Sequence, residues 1–290
     1  MAHSAHTPAH AAPAAAPGGL AAGTVTFVGT ATTLLRLGDF TLLTDPNFLH
    51  AGQRAYLGHG LWSRRRTEPA LGVGQLPRLD GIVLSHLHGD HFDRVARALL
   101  PPTVPVVTTA HASRRLRRWG FAAATALHTW ETFTLRRGDQ ALHVTSVPAQ
   151  HGPRVLHRLM PPTMGSIVDL EVGEARRLRL YLTGDTLYRP ELAEVARRYG
   201  DIDAMLIHLG GTRIMGVLLT MDAAQGVTLM ETVPARVTLP IHYDDYPVFR
   251  SPLSDFLDHA QRRGLRERVT VLRRGDTVPL AAPPGPARRA

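Results

Sequence analysis

Cysteine is absent from this chain of 290 residues. No disulfide framework and no thiolate metal site can form, so any metal must rest on imidazole and carboxylate. Lysine is missing too: all 33 basic residues are arginine, set against 24 acidic ones for a formal net charge of +9. With Ala, Gly and Pro abundant, this usage reads as a compositional bias of the source genome rather than selection for a polyanion. The arginines fall in separate groups, Arg64–Arg66, Arg114–Arg118, Arg176–Arg179 and Arg262–Arg268, a pattern of solvated faces more than of a nucleic-acid surface. No apolar run reaches the length of a membrane span. No basic side chain precedes Arg36, and Pro8, Pro13 and Pro17 interrupt any apolar core, so a secretion signal is not expected. The expectation is a soluble, cytoplasmic protein with a small-molecule partner.

The length suffices for one domain of two packed halves. Residues 1–22, rich in Ala, Pro and His, and residues 281–290 read as disordered tails, which leaves 23–280 as the folded unit. Within it, the stretch Gly81–Asp93, GIVLSHLHGDHFD, concentrates the chemistry. Ile82-Val83-Leu84 is an apolar run short enough for a buried strand. His86, His88, Asp90 and His91 follow it. Side chains at i and i+2 of an extended segment share a side, so His86 and His88 can face one metal. Gly89 permits a sharp turn, after which Asp90 and His91 can face a second. A histidine-rich surface loop is the competing reading, in a chain with 16 His. The spacing at the end of an apolar strand favours the metal. Imidazole and carboxylate suit Zn²⁺ foremost, with Fe and Mn also compatible.

Elsewhere the pattern alternates. Strands are expected at Val25–Val28, Thr32–Leu37, Phe40–Thr44, Val104–Thr109, Thr132–Leu135, Leu142–Pro148, Ser166–Val172, Arg179–Thr183, Ala204–Ile207, Val237–Ile241 and Val269–Leu272. Arg94–Leu100 reads as helix before Pro101, and Ser113–Trp119, Pro190–Tyr199 and Pro252–Arg263 as helices stopped by glycine. Ser251 reads as the N-cap of the last, with Pro252 at its first position. Periodicity alone gives α/β or α+β. Residues 47–80 form a long connection, either a wall of the pocket or packing over the outside of the sheet. Past three further strand ends come His151, Asp185 and His242. Singly each could be a structural histidine or a turn aspartate, and Asp45 before Pro46 could be ordinary turn chemistry.

SHLHGDHFD resembles the HxHxDH signature of the metallo-β-lactamase superfamily, and TDPNF at 44–48, TGDT at 183–186 and PIHYDDYP at 240–247 follow in family order. The set is similar to the branch that contains L-ascorbate-6-phosphate lactonase and N-acylphosphatidylethanolamine-hydrolysing phospholipase D. The resemblance implies a four-layer αββα sandwich of the α+β class. It implies two divalent metals, the first on His86, His88 and His151, the second on Asp90, His91 and His242, with Asp185 bridging. Two such ions about 3.5–4 Å apart share a hydroxide that attacks a phosphodiester, lactone or related ester. Asp90 is then the candidate to steer the hydroxide's proton. Asp45 lies beneath the metals, and His208 and Tyr243 are candidate supporting or substrate contacts. Relatives usually carry His where Thr30 stands.

Arg154–Met164 and Thr212–Met221 mix Leu, Met and Val with Arg154, Arg158 and Arg213. They are the expected walls of a pocket for an amphiphilic or lipid-like ester. The competing functions are a diiron oxidoreductase, a nuclease and a non-catalytic metal-binding protein on the same fold. Similarity to the lactonases also allows a homo-oligomer.

Overall fold

The computed structural model describes residues 21–153 and 156–281. The expected tails therefore lie largely outside the described residues, as does Arg154. Ala21, Ala22 and Ala281 belong to strands, which corrects the tail boundaries by one or two residues.

Short β-branched and leucine-rich runs open the chain as a meander. β1 (Ala21–Gly29), β2 (Thr32–Leu37) and β3 (Phe40–Thr44) pair antiparallel in succession. The long connection then splits. Its first half is a hairpin of β4 (Arg54–Tyr56) and β5 (Trp62–Arg64). Its second half lays Leu71, Val73, Leu76 and Leu79 on the outer apolar layer of the first sheet. Both readings of 47–80 thus hold, each for one portion. β6 (Gly81–Val83), α1 (Arg94–Leu99), β7 (Val106–Thr108), α2 (Ala110–Arg118) and β8 (Ala124–Ala126) follow, with the three strands parallel.

The second half repeats this plan. β9 (Thr132–Arg137), β10 (Gln140–Val147), β11 (Gly165–Val172) and β12 (Ala175–Leu182) form an antiparallel meander. After α3 (Ala193–Tyr199) comes β13 (Ile202–His208), then a small hairpin of β14 (Arg213–Ile214) and β15 (Val217–Leu218). After α4 (Ala223–Thr232) comes β16 (Ala235–Ile241), and β12, β13 and β16 are parallel neighbours. α5 (Leu253–Arg262) precedes β17 (Thr277–Ala281), which returns to pair with β1. The two sheets run β17-β1-β2-β3-β6-β7-β8 and β16-β13-β12-β11-β10-β9.

Alternation along the strands builds the layers. Leu35, Leu37, Phe40 and Leu42 from the first sheet share one buried cluster with Leu142, Val144, Leu170 and Leu180 from the second. On β13 the inward residues Ala204 and Leu206 join that cluster, whereas Met205 and Ile207 face outward into a cluster with Val195, Val227 and Phe256 of α3, α4 and α5. A strand buried on both faces reads as a continuous apolar run, as IDAMLIH does. Ala96 and Leu116 of α1 and α2 cover the other sheet. The result is the expected αββα sandwich of the α+β class. No helix among the described residues is long and apolar enough to cross a membrane.

Three local expectations fail. Ser251 does not cap α5: Pro252 stands at the N-cap, and Ser251 Oγ instead accepts from the Ala223 N–H at 2.9 Å, tethering the start of α4. Val269–Leu272 is no strand. Only Val269 makes an isolated bridge, to Thr238, and the closing strand lies at Thr277–Ala281. Pro190–Leu192 forms a 3₁₀ turn before α3 rather than its first α-turn. The helix α4 had no signal because Gly226 interrupts it. A β-carbon there would come within 2.6 Å of Leu209 Cδ2 and 3.1 Å of Phe256 Cε2, so glycine serves close packing at the expense of propensity.

Arg65 is only 1% exposed, and it ties the hairpin to two distant segments. Its Nη1 donates to the Asn47 backbone oxygen at 2.9 Å and to Asn47 Oδ1 at 2.7 Å, and its Nη2 to Asp245 Oδ1 at 3.4 Å. Burial works to raise the Asp245 pKa, but the Arg274 and Arg65 guanidiniums outweigh it and lower the value. Asp245→Asn leaves Arg65 buried without its counter-charge and should cost about 3–5 kcal/mol in denaturant unfolding at neutral pH. A depressed carboxylate stabilises above its unfolded pKa of about 3.9, and that contribution is lost as pH falls through the folded value. The gap between wild type and Asp245→Asn should therefore close in strongly acidic solution.

Candidate metal centre

The strand ends of both sheets deliver polar residues to one rim. Asp45 follows β3, His86 to His91 follow β6, His151 follows β10 and Asp185 follows β12. His208 ends β13, and His242 follows β16. All are buried, none more than 8% exposed. Asp45 and His242 hold positive φ of 35° and 62°. Such backbone strain costs on the order of 1–3 kcal/mol and persists only where neighbours enforce it. Here the His242 N–H donates to the Thr30 carbonyl at 2.8 Å and the Asp45 N–H to that of Val83 at 3.1 Å.

Ligand-type atoms of four trios lie within 4.8 Å of one another: His86, His88 and His151; Asp90, His91 and His242; His86, His91 and Asp185; and Asp45, His91 and His208. The first two are the triplets expected from the resemblance, and the third brings Asp185 between them. Imidazole orientation is the informative detail. His151 Nδ1 donates to the Leu219 carbonyl at 3.0 Å and His242 Nδ1 to that of Leu209 at 3.2 Å. His86 Nδ1 meets Ser85 Oγ at 3.1 Å, and His91 Nδ1 meets Asp45 Oδ2 at 3.2 Å. In each ring the protein occupies Nδ1 and leaves Nε2 for the centre, the usual arrangement behind a ligating histidine. His88 is reversed: its Nδ1 faces His86 Nε2 at 2.9 Å.

Those inward atoms crowd one another. His91 Nε2 lies 3.2 Å from His242 Nε2 and 3.3 Å from Asp185 Oδ2, and His242 Nε2 is 3.4 Å from Asp90 Oδ2. Asp90 Oδ1 and Asp185 Oδ1 are buried with no hydrogen-bond partner, as is His88 Nε2, which faces the hairpin at Gly58. Buried polar atoms without partners are costly, and a cation is what a convergent set of nitrogen and carboxylate lone pairs satisfies. The donor set fits divalent metal on both sides of Asp185.

Without a cation the two sides titrate apart. Burial pushes His86 well below an ordinary imidazole, takes His88 down to about 3 and lowers His151. Burial also opposes charge on His91 and His242, but Asp185 outweighs it in both, helped by Asp45 and Asp90 at His91 and by Asp90 at His242, and both are raised. At Asp45 burial would raise the carboxyl, yet His91 and His208 hold it at about 2. Burial thus opposes charge on the His86 side, whereas the carboxylates of Asp185, Asp45 and Asp90 favour it on the His91 side.

Asp45 occupies the position expected beneath the centre. It accepts from the Ser85 N–H at 2.7 Å and Ser85 Oγ at 3.0 Å, with His91 and His208 on Oδ2 at 3.2 and 3.3 Å. His208 is 2% exposed and pairs with Asp45 and Thr183, so it is a buried partner of Asp45 rather than a rim contact. Tyr243 packs with the outer apolar cluster of α4 and α5, away from the role given to it. Tyr246 takes the inward place instead, donating to Asn47 Oδ1 at 3.1 Å. Thr30 is fully buried, its N–H on Asp245 Oδ2 at 2.9 Å, and offers no surface to a substrate.

Sequence reasoning missed the layer that holds the loop. Asn47 Nδ2 donates to the Gly89 carbonyl at 2.9 Å and to Asp93 Oδ2 at 3.1 Å. Asp93 accepts the N–H groups of Phe48, Leu49 and Ala96, the last as N-cap of α1. Asn47 in TDPNF and Asp245 in HYDDYP stood inside quoted motifs, and that was the available signal. The pocket expectation holds by half. A cleft of ≈ 590 Å³ beside His88 is lined by the β4–β5 hairpin and by Arg158 to Pro162. Thr212–Met221 does not line it. Met215 is 98% exposed, and the segment serves the centre through the Leu219 carbonyl on His151.

A sandwich of this layering with such trios at one rim defines the class: a metal-dependent hydrolase of metallo-β-lactamase type. The chain belongs to the β-lactamase superfamily, whose domain it matches over residues 41–243. It is 26% identical over 211 residues, 69% of this chain and 81% of the other, to a UPF0173 metal-dependent hydrolase of Archaeoglobus fulgidus. Its fold is similar to that of an isothiocyanate hydrolase from Delia radicum gut bacteria, with TM-score 0.75, 17% identity, and coverage of 89% of this chain and 100% of that one. A diiron β-hydroxylase from Streptomyces venezuelae shares the fold at TM-score 0.63 and 18% identity, over 90% of this chain and 55% of that one.

The chain turns at Gly89 as expected, with the His91 N–H on the His88 carbonyl at 3.1 Å, but without a positive φ; close packing is what requires glycine there. A β-carbon there would sit 2.6 Å from Tyr56 N and 2.7 Å from Tyr56 O, where the Gly89 N–H now donates at 2.8 Å. Gly89→Ala should lower stability by roughly 1–3 kcal/mol through overpacking against that backbone. It should also reduce bound metal in elemental analysis, since the hairpin and the ligand loop are forced apart.

Proposed function

We propose that the chain hydrolyses an ester-type bond, in a phosphodiester, lactone or related ester, with two divalent ions, zinc foremost. One observation carries this reading: the protein occupies the Nδ1 atoms of His86, His91, His151 and His242, and the Nε2 atoms of His91 and His151 lie 3.3 and 3.8 Å from Asp185 Oδ2. His86, His88 and His151 would hold one ion, and Asp90, His91 and His242 the other, with Asp185 shared. Two divalent ions supply Lewis-acid charge and lower the pKa of a bound water toward neutrality.

The chain's own residues do the rest. Asp45 would hold a proton on His91 Nδ1 and so turn Nε2 toward the ion. Ser85, held by Asp45, does the same for His86 Nδ1. Asp90 would meet the ion through one carboxylate oxygen, which leaves the other as the atom to take the proton of the attacking water. Burial of the whole set excludes bulk water and strengthens each of these interactions. The hydrolase unit in this reading is residues 23–280, acting in the cytoplasm on a small-molecule or lipid-like ester. In this reading the lactonase and phospholipase D branch of the superfamily serves as a functional analogue.

The test begins with metal content. Purified protein should carry two equivalents of zinc or a similar divalent ion, and His86→Ala and Asp185→Ala should each reduce that. A folded chain that stays metal-free after reconstitution overturns the reading, and two irons with oxygenase activity would replace it. Asp90→Asn keeps an oxygen but removes the charge. Hydrolysis of chromogenic phosphodiesters or lactones should fall by about 10²–10⁴-fold while much of the metal remains.

A further inference from the structure

The cleft beside His88 has a composition of its own. Its helix wall carries Arg94 and Arg97 of α1 and Arg115 of α2, and Arg54 and Arg158 come from the other two walls. All five are exposed. The only carboxylate in the lining is Asp93, whose oxygens are already taken by backbone N–H groups and Asn47. Among the described residues, none of the five arginines is ion-paired. Elsewhere the molecule pairs its arginines readily, as Arg137 with Asp80, Arg179 with Asp169, Arg198 with Glu194 and Arg274 with Asp244. Only Arg115 belongs to one of the arginine groups read in the sequence; Arg54, Arg94, Arg97 and Arg158 stand singly in the chain and meet it here.

Two of these arginines are already oriented. The guanidiniums of Arg97 and Arg115 stack on the Trp119 ring, 4.4 and 5.4 Å from its centroid. Stacking uses the flat face of a guanidinium and leaves its in-plane N–H fork free for an oxyanion. The same cleft holds exposed apolar surface. Tyr56, Trp62 and Leu159 are 45%, 59% and 58% exposed and line it, and Leu61, 40% exposed, precedes Trp62. They are most of the large hydrophobic side chains that the described residues leave in solvent, and large exposed apolar surface beside a polar rim marks a binding site.

We propose that this cleft is the substrate-recognition site, and that it takes an amphiphile bearing an oxyanion, phosphate or carboxylate. The oxyanion docks on the Arg97–Trp119–Arg115 stack and the apolar body lies against Tyr56, Trp62 and Leu159. This rests on the hydrolase reading, since His88 joins cleft and centre: its Nε2 would be 3.5 Å from a β-carbon at Gly58, on the hairpin wall. Binding energy gathered on the non-reacting oxyanion then serves the reaction at the metal centre.

The chain has three tryptophans. Trp62 and Trp119 line the cleft, and Trp130 stacks on Tyr199 elsewhere, so tryptophan emission reports the cleft. The metal-loaded protein is titrated at low salt with octyl phosphate, octanoate, octan-1-ol and inorganic phosphate. One of the two octyl anions, phosphate or carboxylate, should bind saturably and about tenfold or more tighter than both octanol and inorganic phosphate, and the better of the two names the oxyanion. In the double variant Arg97→Gln/Arg115→Gln that affinity should drop about tenfold or more, with the thermal midpoint and metal content kept. Trp62→Ala, on the exposed hairpin, should weaken octyl phosphate but not inorganic phosphate. Octanol binding as tightly as both anions, or anion binding unchanged in the double variant because it goes to the metals, overturns the proposal. Arginine-dependent binding in a protein that holds metal but hydrolyses no ester would leave the cleft standing and remove the hydrolase reading instead.

Discussion

The side-chain amide of Asn47 is the joint on which the rim depends. Its two N–H groups hold Gly89 and Asp93, at the middle and the end of the ligand loop. Its oxygen receives Arg65, Tyr246 and Thr30, which come from the hairpin, the turn after β16 and the turn after β1. An amide can both donate twice and accept, so one residue satisfies four segments that no backbone ladder connects. A carboxylate in that place could not donate, and an apolar residue would leave the Gly89 carbonyl and the Arg65 guanidinium without this partner. Buried networks of this sort specify geometry only when every member is satisfied.

Much of this architecture is legible in the sequence because the strands are short, apolar and glycine-punctuated. Thr32–Leu37 and Phe40–Thr44 coincide with β2 and β3 to the residue. His86, His88, Asp90 and His91 stand in a dense local pattern, whereas His151, Asp185 and His242, each just past an apolar run, could be named only through the resemblance of motif order. What stayed hidden is long-range. Nothing local in α4 outweighs Gly226, whose reason is the proximity of Leu209 and Phe256. Ser251 looks like a cap for the helix after it, yet it bonds to the one before it in the chain. Arg65 reads as part of a solvated arginine group and is fully buried, because its partners Asn47 and Asp245 are 18 and 180 residues away.

The electrostatics of the rim divide along the same seam as the chain. The His86 side is built of uncharged imidazoles, and the His91 side is a lattice of opposite charges around Asp45, Asp90 and Asp185. Asp185 faces both, which couples the two sides through a single carboxylate. The fold permits this because parallel strands in each sheet end at one rim, so the side chains of β6 and those of β12 and β16 converge there.

The register of the outermost pair in the first sheet has a consequence of a different kind. Thr26 of β1 is matched with Thr277 of β17, and Ala21 with Ala281. β1 finds its second neighbour only once β17 has been made, 251 residues further along the chain. Until then its edge, from Ala21 to Phe27, carries open N–H and C=O groups. Folding of the first sheet is thus contingent on the completed second half, and the interval of synthesis between them is when this protein is most exposed to mispairing.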